Sequence, residues 1–256
     1  MSQLPATPVS ISPVPAAATA PPLPFLPPLP QIPGFGFDPR QVPVSGTDAH
    51  LPAVPPDRWT PEALRLRFHT PPAWQPDVRR EPSAGTRAPA AASVLLGIVQ
   101  RPEPTVLLTE RTVHLTTHSG QVAFPGGRAD PGDVDAADTA LREAEEEVGL
   151  ERRWVQVLGQ LPTYATITAF VVTPVVALIA PGCVLRANPD EVADVFEVPL
   201  AFLMNPAHHR RHSVDSGYGR REWFSMPWTD PATGKEHFVW GATAGMLRNF
   251  YRFLAA

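Results

Sequence analysis

The chain has 256 residues, 43% of them apolar, so it can bury the core of one sizeable domain or two small ones. Its formal net charge of −4 gives no electrostatic reason to expect nucleic acid or an anionic membrane as a partner. Its single cysteine, Cys183, excludes an internal disulfide and favours a reducing compartment, and no apolar run approaches the roughly 20 residues that cross a bilayer.

The first 36 residues are rich in proline and alanine. Proline is so dense there that neither a helix nor a strand ladder can propagate. We therefore predict a disordered tail over residues 1–36, followed by one domain over residues 37–256. The tail carries no basic residue before its apolar stretch, so it resembles neither a secretory nor a mitochondrial leader, and we expect a cytoplasmic protein.

The rest of the chain mixes strand and helix signals. Apolar runs bounded by proline or glycine predict strands at residues 91–99, 105–109, 121–124, 155–161 and 170–179. Pro174 predicts an edge or a bulge in the last of these strands. Helical periodicity predicts helices at residues 136–148 and 243–254, and Thr60 before Pro61 predicts the start of a short earlier one. Without a regular βαβ rhythm, the order favours an α/β fold of the α+β type with one mixed sheet.

A cluster of glutamates follows a glycine pair. Gly126 and Gly127 predict a loop, and the next helix carries Glu143, Glu146 and Glu147 at positions i, i+3 and i+4, which places three carboxylates on one face. Two like charges 4 Å apart repel by about 4 kcal/mol at an effective dielectric constant of 20. A hard divalent cation such as Mg²⁺ relieves that repulsion, so the pattern predicts a metal site.

The alternative is that these glutamates form an ordinary solvated helix face, which is the usual explanation of an acidic run. The surrounding sequence argues against it, because a glycine pair and an acidic loop precede the helix and bring further oxygen atoms to the same place. The acidic residues of that loop are Asp130, Asp133 and Asp135. Arg142 is placed to pair with Glu146 one turn on and to orient the cluster.

These residues resemble the Nudix box. Gly127, Asp133 and the run from Arg142 to Leu150 are similar to its glycine, its acidic residue and its R-E-U-x-E-E-x-G-U helix, in which U is apolar. Asp133 stands where the box usually has Glu, and one residue further from Arg142. The resemblance implies a Nudix fold, a mixed β-sheet sandwiched between helices, with a box at about residues 127–150.

The segments at residues 107–111 and 118–127 resemble the signature of the coenzyme A pyrophosphatase branch, which also carries the longer acidic loop. Further similarity covers most of the chain after about residue 90, at Tyr164 and residues 170–176, 188–192, 196–200 and 240–243. One departure is Thr116, where the branch usually has Arg.

The resemblance implies a diphosphate hydrolase that cleaves coenzyme A or its derivatives to 4′-phosphopantetheine and 3′,5′-ADP. The Nudix box implies Mg²⁺ or Mn²⁺ held by the three helix glutamates, and Glu191 or Glu197 as general base, with Glu191 preferred. Arg111 and Arg128, with Gly126 and Gly127, are the expected substrate-binding residues. The alternatives are another nucleoside diphosphate derivative, such as ADP-ribose or a dinucleotide, and a Nudix-fold binding module without catalysis.

The histidines offer a competing metal site. His114 and His118 lie four residues apart, and His208, His209 and His212 are close in sequence, yet an H-E-x-x-H helix is missing. We therefore expect these histidines to be loop or surface residues. The chain also carries no P-loop, no dinucleotide-binding glycine motif after a strand and no G-x-S-x-G elbow.

Overall fold

The helices and strands lie between residues 38 and 256 of a computed structural model, which describes residues 38–81, 88–112, 120–216 and 219–256. These residues belong to one unit, Gln31–Ala256. The expected tail at residues 1–36 lies outside the described residues, so the domain boundary stays a prediction. Among the described residues, no helix has both the length and the apolar character needed to cross a membrane.

The described elements alternate short strands with a few helices. The strands are β1 (Val44–Thr47), β2 (Ala90–Val99), β3 (Thr105–Arg111), β4 (Val122–Ala123), β5 (Gly126–Arg128), β6 (Val155–Gln160), β7 (Tyr164–Ala165), β8 (Phe170–Ile179), β9 (Val192–Pro199), β10 (Arg210–Ser216), β11 (Gly219–Thr229) and β12 (Glu236–Trp240). The α-helices are α1 (Pro61–His69), α2 (Ala136–Val148), α3 (Leu200–Leu203) and α4 (Gly241–Ala255). Short 3₁₀ helices lie at Pro56–Arg58, Arg152–Trp154 and Pro206–His208.

The strands form two sheets rather than the single sheet that the sequence predicted. The larger is a mixed eight-stranded sheet with β4, β3, β2, β8 and β6 in order; β5 also pairs with β2, β7 with β8 and β9 with β3. Among its described strands, β2 and β8 are the only two that pair in parallel. The smaller sheet is antiparallel, in the order β1, β10, β11, β12. The sequence pattern did not reveal β10, β11 or β12, because polar residues interrupt their apolar runs.

Helices cover both faces of the larger sheet, because successive residues of its central strands point to opposite sides. Leu95 of β2 and Val175 of β8 pack in one apolar cluster with Ala144 of α2. Their neighbours Leu96 and Val176 pack in the other cluster, which contains the apolar face of α4 (Leu247, Phe250 and Leu254). The structure therefore confirms the Nudix-type arrangement of a mixed sheet between helices.

The ends of α2 show why its bounds agree with the sequence prediction. The Asp135 side chain accepts a hydrogen bond from the backbone N–H of Asp138 at 2.8 Å and caps the first turn. Gly149 ends the helix in the left-handed conformation, at φ 66°, where a residue with a Cβ would be strained. Local capping alone fixes both ends.

Two local predictions were wrong. Gly126–Arg128 is not a loop but strand β5, whose residues pair with Val94, Ser93 and Ala92 of β2. Pro174 does not mark an edge strand or a bulge. It lies within β8 between two partner strands, at the point where antiparallel pairing passes from β6 to β7, so that its missing N–H interrupts little.

Candidate active site

Glu147 is the most buried of the three predicted metal ligands. Its side chain is only 2% exposed, and its carboxylate accepts a hydrogen bond from the backbone N–H of Gly126 at 3.0 Å. The Arg111 guanidinium donates to its other oxygen at 3.3 Å. Burial raises the pKa of Glu147 to about 7, and the nearby carboxylates of Glu143 and Glu191 act in the same direction.

Glu143 lies one turn earlier on α2, against the backbone of β5. A Cβ on Gly127 would stand 2.5 Å from the carboxyl carbon of Glu143, so only glycine leaves room for this approach. Burial raises the pKa of Glu143, although the neighbouring Arg142 guanidinium opposes the rise. Gly127 is therefore required by the close approach of Glu143 to the strand.

Glu146 is more exposed than the other two, at 56%, and pairs with Arg142 at 3.1 Å, as the sequence predicted. Arg142 also makes a two-pronged ion pair with Asp133, at 2.9 and 3.0 Å, and donates to the backbone oxygen of Arg128. Arg142 thus links α2 to the acidic loop and to β5. These contacts fix the position of the helix carboxylates.

Two of the three loop aspartates, Asp133 and Asp135, do not supply the extra metal oxygens that the sequence suggested. Both carboxylate oxygens of Asp133 are engaged by Arg142, and one also accepts from Thr139 at 2.8 Å. These hydrogen bonds hold the pKa of Asp133 far below its usual range, with the bond from Arg142 contributing most. Asp135 is the helix cap described above. Asp133 and Asp135 therefore shape the site through hydrogen bonds within the loop and the helix.

Glu191 and Glu197, the two predicted general bases, lie in different surroundings. The charge of Glu191 raises the pKa of both Glu143 and Glu147, which places it beside them. Glu197 instead pairs with Arg101 at 2.6 Å and accepts from Thr105. Burial alone would raise the pKa of Glu197, but these hydrogen bonds hold it below the usual value. The geometry favours Glu191.

A cleft of about 300 Å³ is lined by Arg111 and Gly126, the two residues that hold Glu147, although the helix glutamates themselves do not line it. All four predicted substrate-binding residues line it: Arg111, Gly126, Gly127 and Arg128. The Nε atom of Arg111 is buried and has no hydrogen-bond partner among the described residues, while Arg128 is exposed. The apolar side chains of Phe170, Val172 and Met246 line other parts of the cleft.

The sequence did not reveal Glu81, which also lines the cleft. Its carboxylate accepts a hydrogen bond from the backbone N–H of Ile167 at 2.8 Å and faces the Tyr164 hydroxyl at 3.4 Å. Burial raises its pKa. No local pattern marks Glu81, because it reaches the site through long-range pairing of its own segment with Ala165.

The histidine prediction was partly wrong. His209 and His212 are buried rather than at the surface. His209 bonds to the Leu203 carbonyl at 2.7 Å and to Arg248 at 3.1 Å, and His212 bonds to Ser225 at 2.8 Å. These partners occupy the ring nitrogens and explain the positions without a metal.

Three residues singled out from the sequence cannot be placed. His114, Thr116 and His118 lie outside the described residues. The comparison with the coenzyme A branch at position 116 therefore rests on the sequence.

A family profile described as the NUDIX domain matches residues 87–214. The chain belongs to the Nudix family. It is 45% identical over 177 residues to a protein of Escherichia coli (strain K12) named "Uncharacterized Nudix hydrolase NudL", a match that covers 68% of this chain and 85% of the relative. The protein of the same name from Shigella flexneri is 44% identical over the same length and coverage.

Solved structures of Nudix proteins overlay part of the chain. A Caenorhabditis elegans Ap4A hydrolase binary complex has a TM-score of 0.38 at 18% identity, covering 46% of this chain and 85% of that one. The Nudix hydrolase RenU from M. smegmatis has a TM-score of 0.39 at 25% identity, covering 50% and 80%.

Nudix hydrolases use divalent metal ions, and the donor set here fits one. Burial and the nearby carboxylates raise the pKa of Glu143 and of Glu147, and the guanidinium groups of Arg142 and Arg111 provide the neighbouring positive charge. Carboxylate oxygens are the ligands that Mg²⁺ and Mn²⁺ prefer. A divalent cation bound between these carboxylates would relieve the repulsion between their negative charges.

Proposed function

We propose that this Nudix hydrolase cleaves the diphosphate bond of coenzyme A or a close derivative, giving 4′-phosphopantetheine and 3′,5′-ADP. The observation that carries the reaction class is the buried Glu147 carboxylate, which is held by Gly126 and Arg111, two residues that line the cleft. The substrate rests on the similarity of residues 107–111 and 118–127 to the coenzyme A pyrophosphatase branch.

The cleft supports a substrate with one charged and one apolar part. Arg111 and Arg128 offer guanidinium groups to phosphate oxygens, with charge-assisted hydrogen bonds that favour a diphosphate. Phe170, Val172 and Met246 offer an apolar wall to the pantetheine arm. A pantetheine arm joined to a diphosphate has one apolar part and one charged part, which match these two surfaces of the cleft.

We assign Glu143, Glu146 and Glu147 as ligands of Mg²⁺ or Mn²⁺. When bound, the ion neutralises diphosphate oxygens and lowers the pKa of the attacking water. Glu191 accepts the proton of that water, since its carboxylate lies beside the ligands but is not engaged in an ion pair among those found in the described residues. Arg111 and Arg128 orient the diphosphate. The 3′-phosphate, a monoester, is left intact.

A cytoplasmic location belongs to the same proposal. It is supported by the lone Cys183, which is half-buried in the apolar cluster under α2 and has no second cysteine to pair with.

The test is a substrate panel with Mg²⁺ and with Mn²⁺, in which products are identified by mass. Coenzyme A, ADP-ribose and a dinucleoside polyphosphate are compared by kcat/KM. We expect coenzyme A to give the best value and its two products in equal amounts. Brisk cleavage of ADP-ribose alone would move the substrate to the other nucleoside diphosphate derivatives. No turnover of any member would instead favour a binding module.

Thr116→Arg sharpens the substrate test. If the arginine of the branch holds a substrate phosphate, this variant should lower the KM for coenzyme A by about tenfold and leave kcat nearly unchanged. A matched rise in kcat/KM for ADP-ribose would show that the added charge attracts any nucleotide.

A further inference from the structure

Three side chains of types that can bind a metal ion lie close together outside the proposed catalytic site. Glu110 lies on β3, directly opposite Asp194 of β9 in the antiparallel register, and His237 lies on β12 of the smaller sheet. Each offers one ligand atom, and these atoms all lie within 4.8 Å of one another. The cluster therefore joins strands of both sheets.

His237 provides an observation that the acidic pair alone does not. Its side chain is 2% exposed, and its Nδ1 atom is buried without a hydrogen-bond partner among the described residues. That atom points to Glu110, whose Oε2 lies 3.8 Å away, beyond hydrogen-bonding distance. Phe196 stacks on the imidazole at a centroid distance of 3.6 Å and restricts the ring.

A buried nitrogen without a partner costs about 1 to 3 kcal/mol of desolvation, so its presence needs an explanation. A cation between Nδ1 and the two carboxylates supplies one. The Lys235 ammonium now lies 2.8 Å from both Glu110 and Asp194 and balances their charge. Lys235 does not, however, bond to the imidazole nitrogen. Its side chain is 44% exposed, so it has room to swing into solvent.

We propose that Glu110, Asp194 and His237 form a second, non-catalytic site for Zn²⁺, in which the ion displaces the Lys235 ammonium. One imidazole nitrogen and two carboxylate oxygens are ligands that zinc accepts, with water in the fourth position. The two carboxylates neutralise the ion. The harder Mg²⁺ favours sites built of oxygen alone, so the imidazole selects against it.

Such an ion would cross-link β12 to β3 and β9. β12 runs directly into Trp240 and Gly241, which line the cleft, and Glu110 precedes Arg111. Zinc at this site therefore stabilises the fold and one wall of the cleft. It takes no part in the hydrolysis, and the inference stands whether or not coenzyme A is the substrate.

The test measures zinc binding by the metal-stripped full chain in saturating Mg²⁺, which occupies the catalytic site. Isothermal titration gives stoichiometry and affinity, Co²⁺ absorption reports the ligand geometry, and a melting curve reports stabilisation. We expect one equivalent of Zn²⁺ and a higher Tm. Asp194→Asn and His237→Gln should each weaken binding by about 100-fold, since each removes one ligand. Glu236→Gln, which alters an exposed neighbour on the same strand, should leave it unchanged.

Lys235→Met separates displacement from simple binding. Removal of the competing ammonium should tighten zinc binding by about tenfold. Unchanged or weaker binding by this variant would contradict the displacement. If the wild type binds no zinc in Mg²⁺, or if Asp194→Asn and His237→Gln bind it as well as the wild type does, the site is a fixed ion pair around Lys235 and the proposal fails.

Discussion

At the scale of single residues, Glu147 combines burial with the charge that we propose the reaction uses. Its two carboxylate oxygens accept hydrogen bonds from a backbone N–H and from Arg111, so the amide of glutamine keeps the shape and one of these two bonds while it removes a buried charge. Burial raises its pKa to about 7, which shows how strongly the place disfavours an isolated negative charge. A divalent ion changes this balance, since it stabilises the ionised form.

Glu147→Gln should therefore fold normally and lose at least about 100-fold in kcat. Mg²⁺ should raise the Tm of the wild type by mass action and raise it less in this variant. Glu145→Gln is the control, because that side chain lies on the same helix, is 51% exposed and points elsewhere. Near-normal turnover in Glu147→Gln with an unchanged melting curve would remove Glu147 from the metal site.

The buried side chain of His209 should make the stability of the fold depend on pH in the acid range. Burial is the main cause that lowers its pKa to about 4, against 6.5 for the free side chain, and the adjacent Arg248 guanidinium adds to the effect. Below pH 6.5 the unfolded chain takes up a proton that the folded chain refuses. The contribution of His209 to the free energy of unfolding is therefore complete above pH 6.5 and is lost as the pH falls towards 4.

The expected loss from this residue between pH 7.5 and pH 5 is about 2 kcal/mol of unfolding free energy. His209→Gln should be less stable at pH 7.5 but should lose less on acidification, as measured by denaturant unfolding at both pH values. His50→Gln, at an exposed position, should lose as much as the wild type. An equal acid loss in His209→Gln would show that other groups control it.

At the scale of elements, the site depends on the fit between α2 and β5. Glu143 approaches the backbone of β5 so closely that a Cβ on Gly127 would displace its carboxylate. The obstructing atoms belong to the end of a flexible side chain, so the backbone need not move. The change should therefore disturb the site more than the fold.

Gly127→Ala should lower kcat/KM by at least about tenfold and raise the Mg²⁺ concentration needed for half-maximal activity, with little change in Tm. Gly132→Ala tests the same substitution a few residues on, where the new Cβ meets nothing within 4 Å. If both variants behave alike in the metal titration, close packing of Glu143 against β5 does not matter for the reaction.

At the scale of the whole molecule, the described residues account for both sheets, both apolar clusters and the cleft. Deletion of residues 1–36 should change neither Tm nor turnover appreciably, because a proline-rich segment has few large side chains to bury. Melting curves and kcat/KM of the truncated and full chains test this. A loss of several degrees would mean that the tail packs on the domain.

The sequence by itself determined the features that rest on local chemistry. Helix α2 has the predicted bounds because Asp135 and Gly149 cap it, and three glutamates share one face because 3.6 residues make a turn. The Nudix box could be recognised for the same reason, since its residues lie within one helix and the loop before it.

Only the tertiary structure decided what depends on contacts between distant segments. Gly126–Arg128 became a strand because β2 offers it a partner. The fold also places Glu191 near the helix carboxylates, whereas it pairs Glu197 with Arg101. Glu81 and the cluster around His237 form where segments far apart in sequence pair. No local pattern carries that pairing, because hydrogen bonds between strands and the burial of charges are set by the partner as much as by the residue.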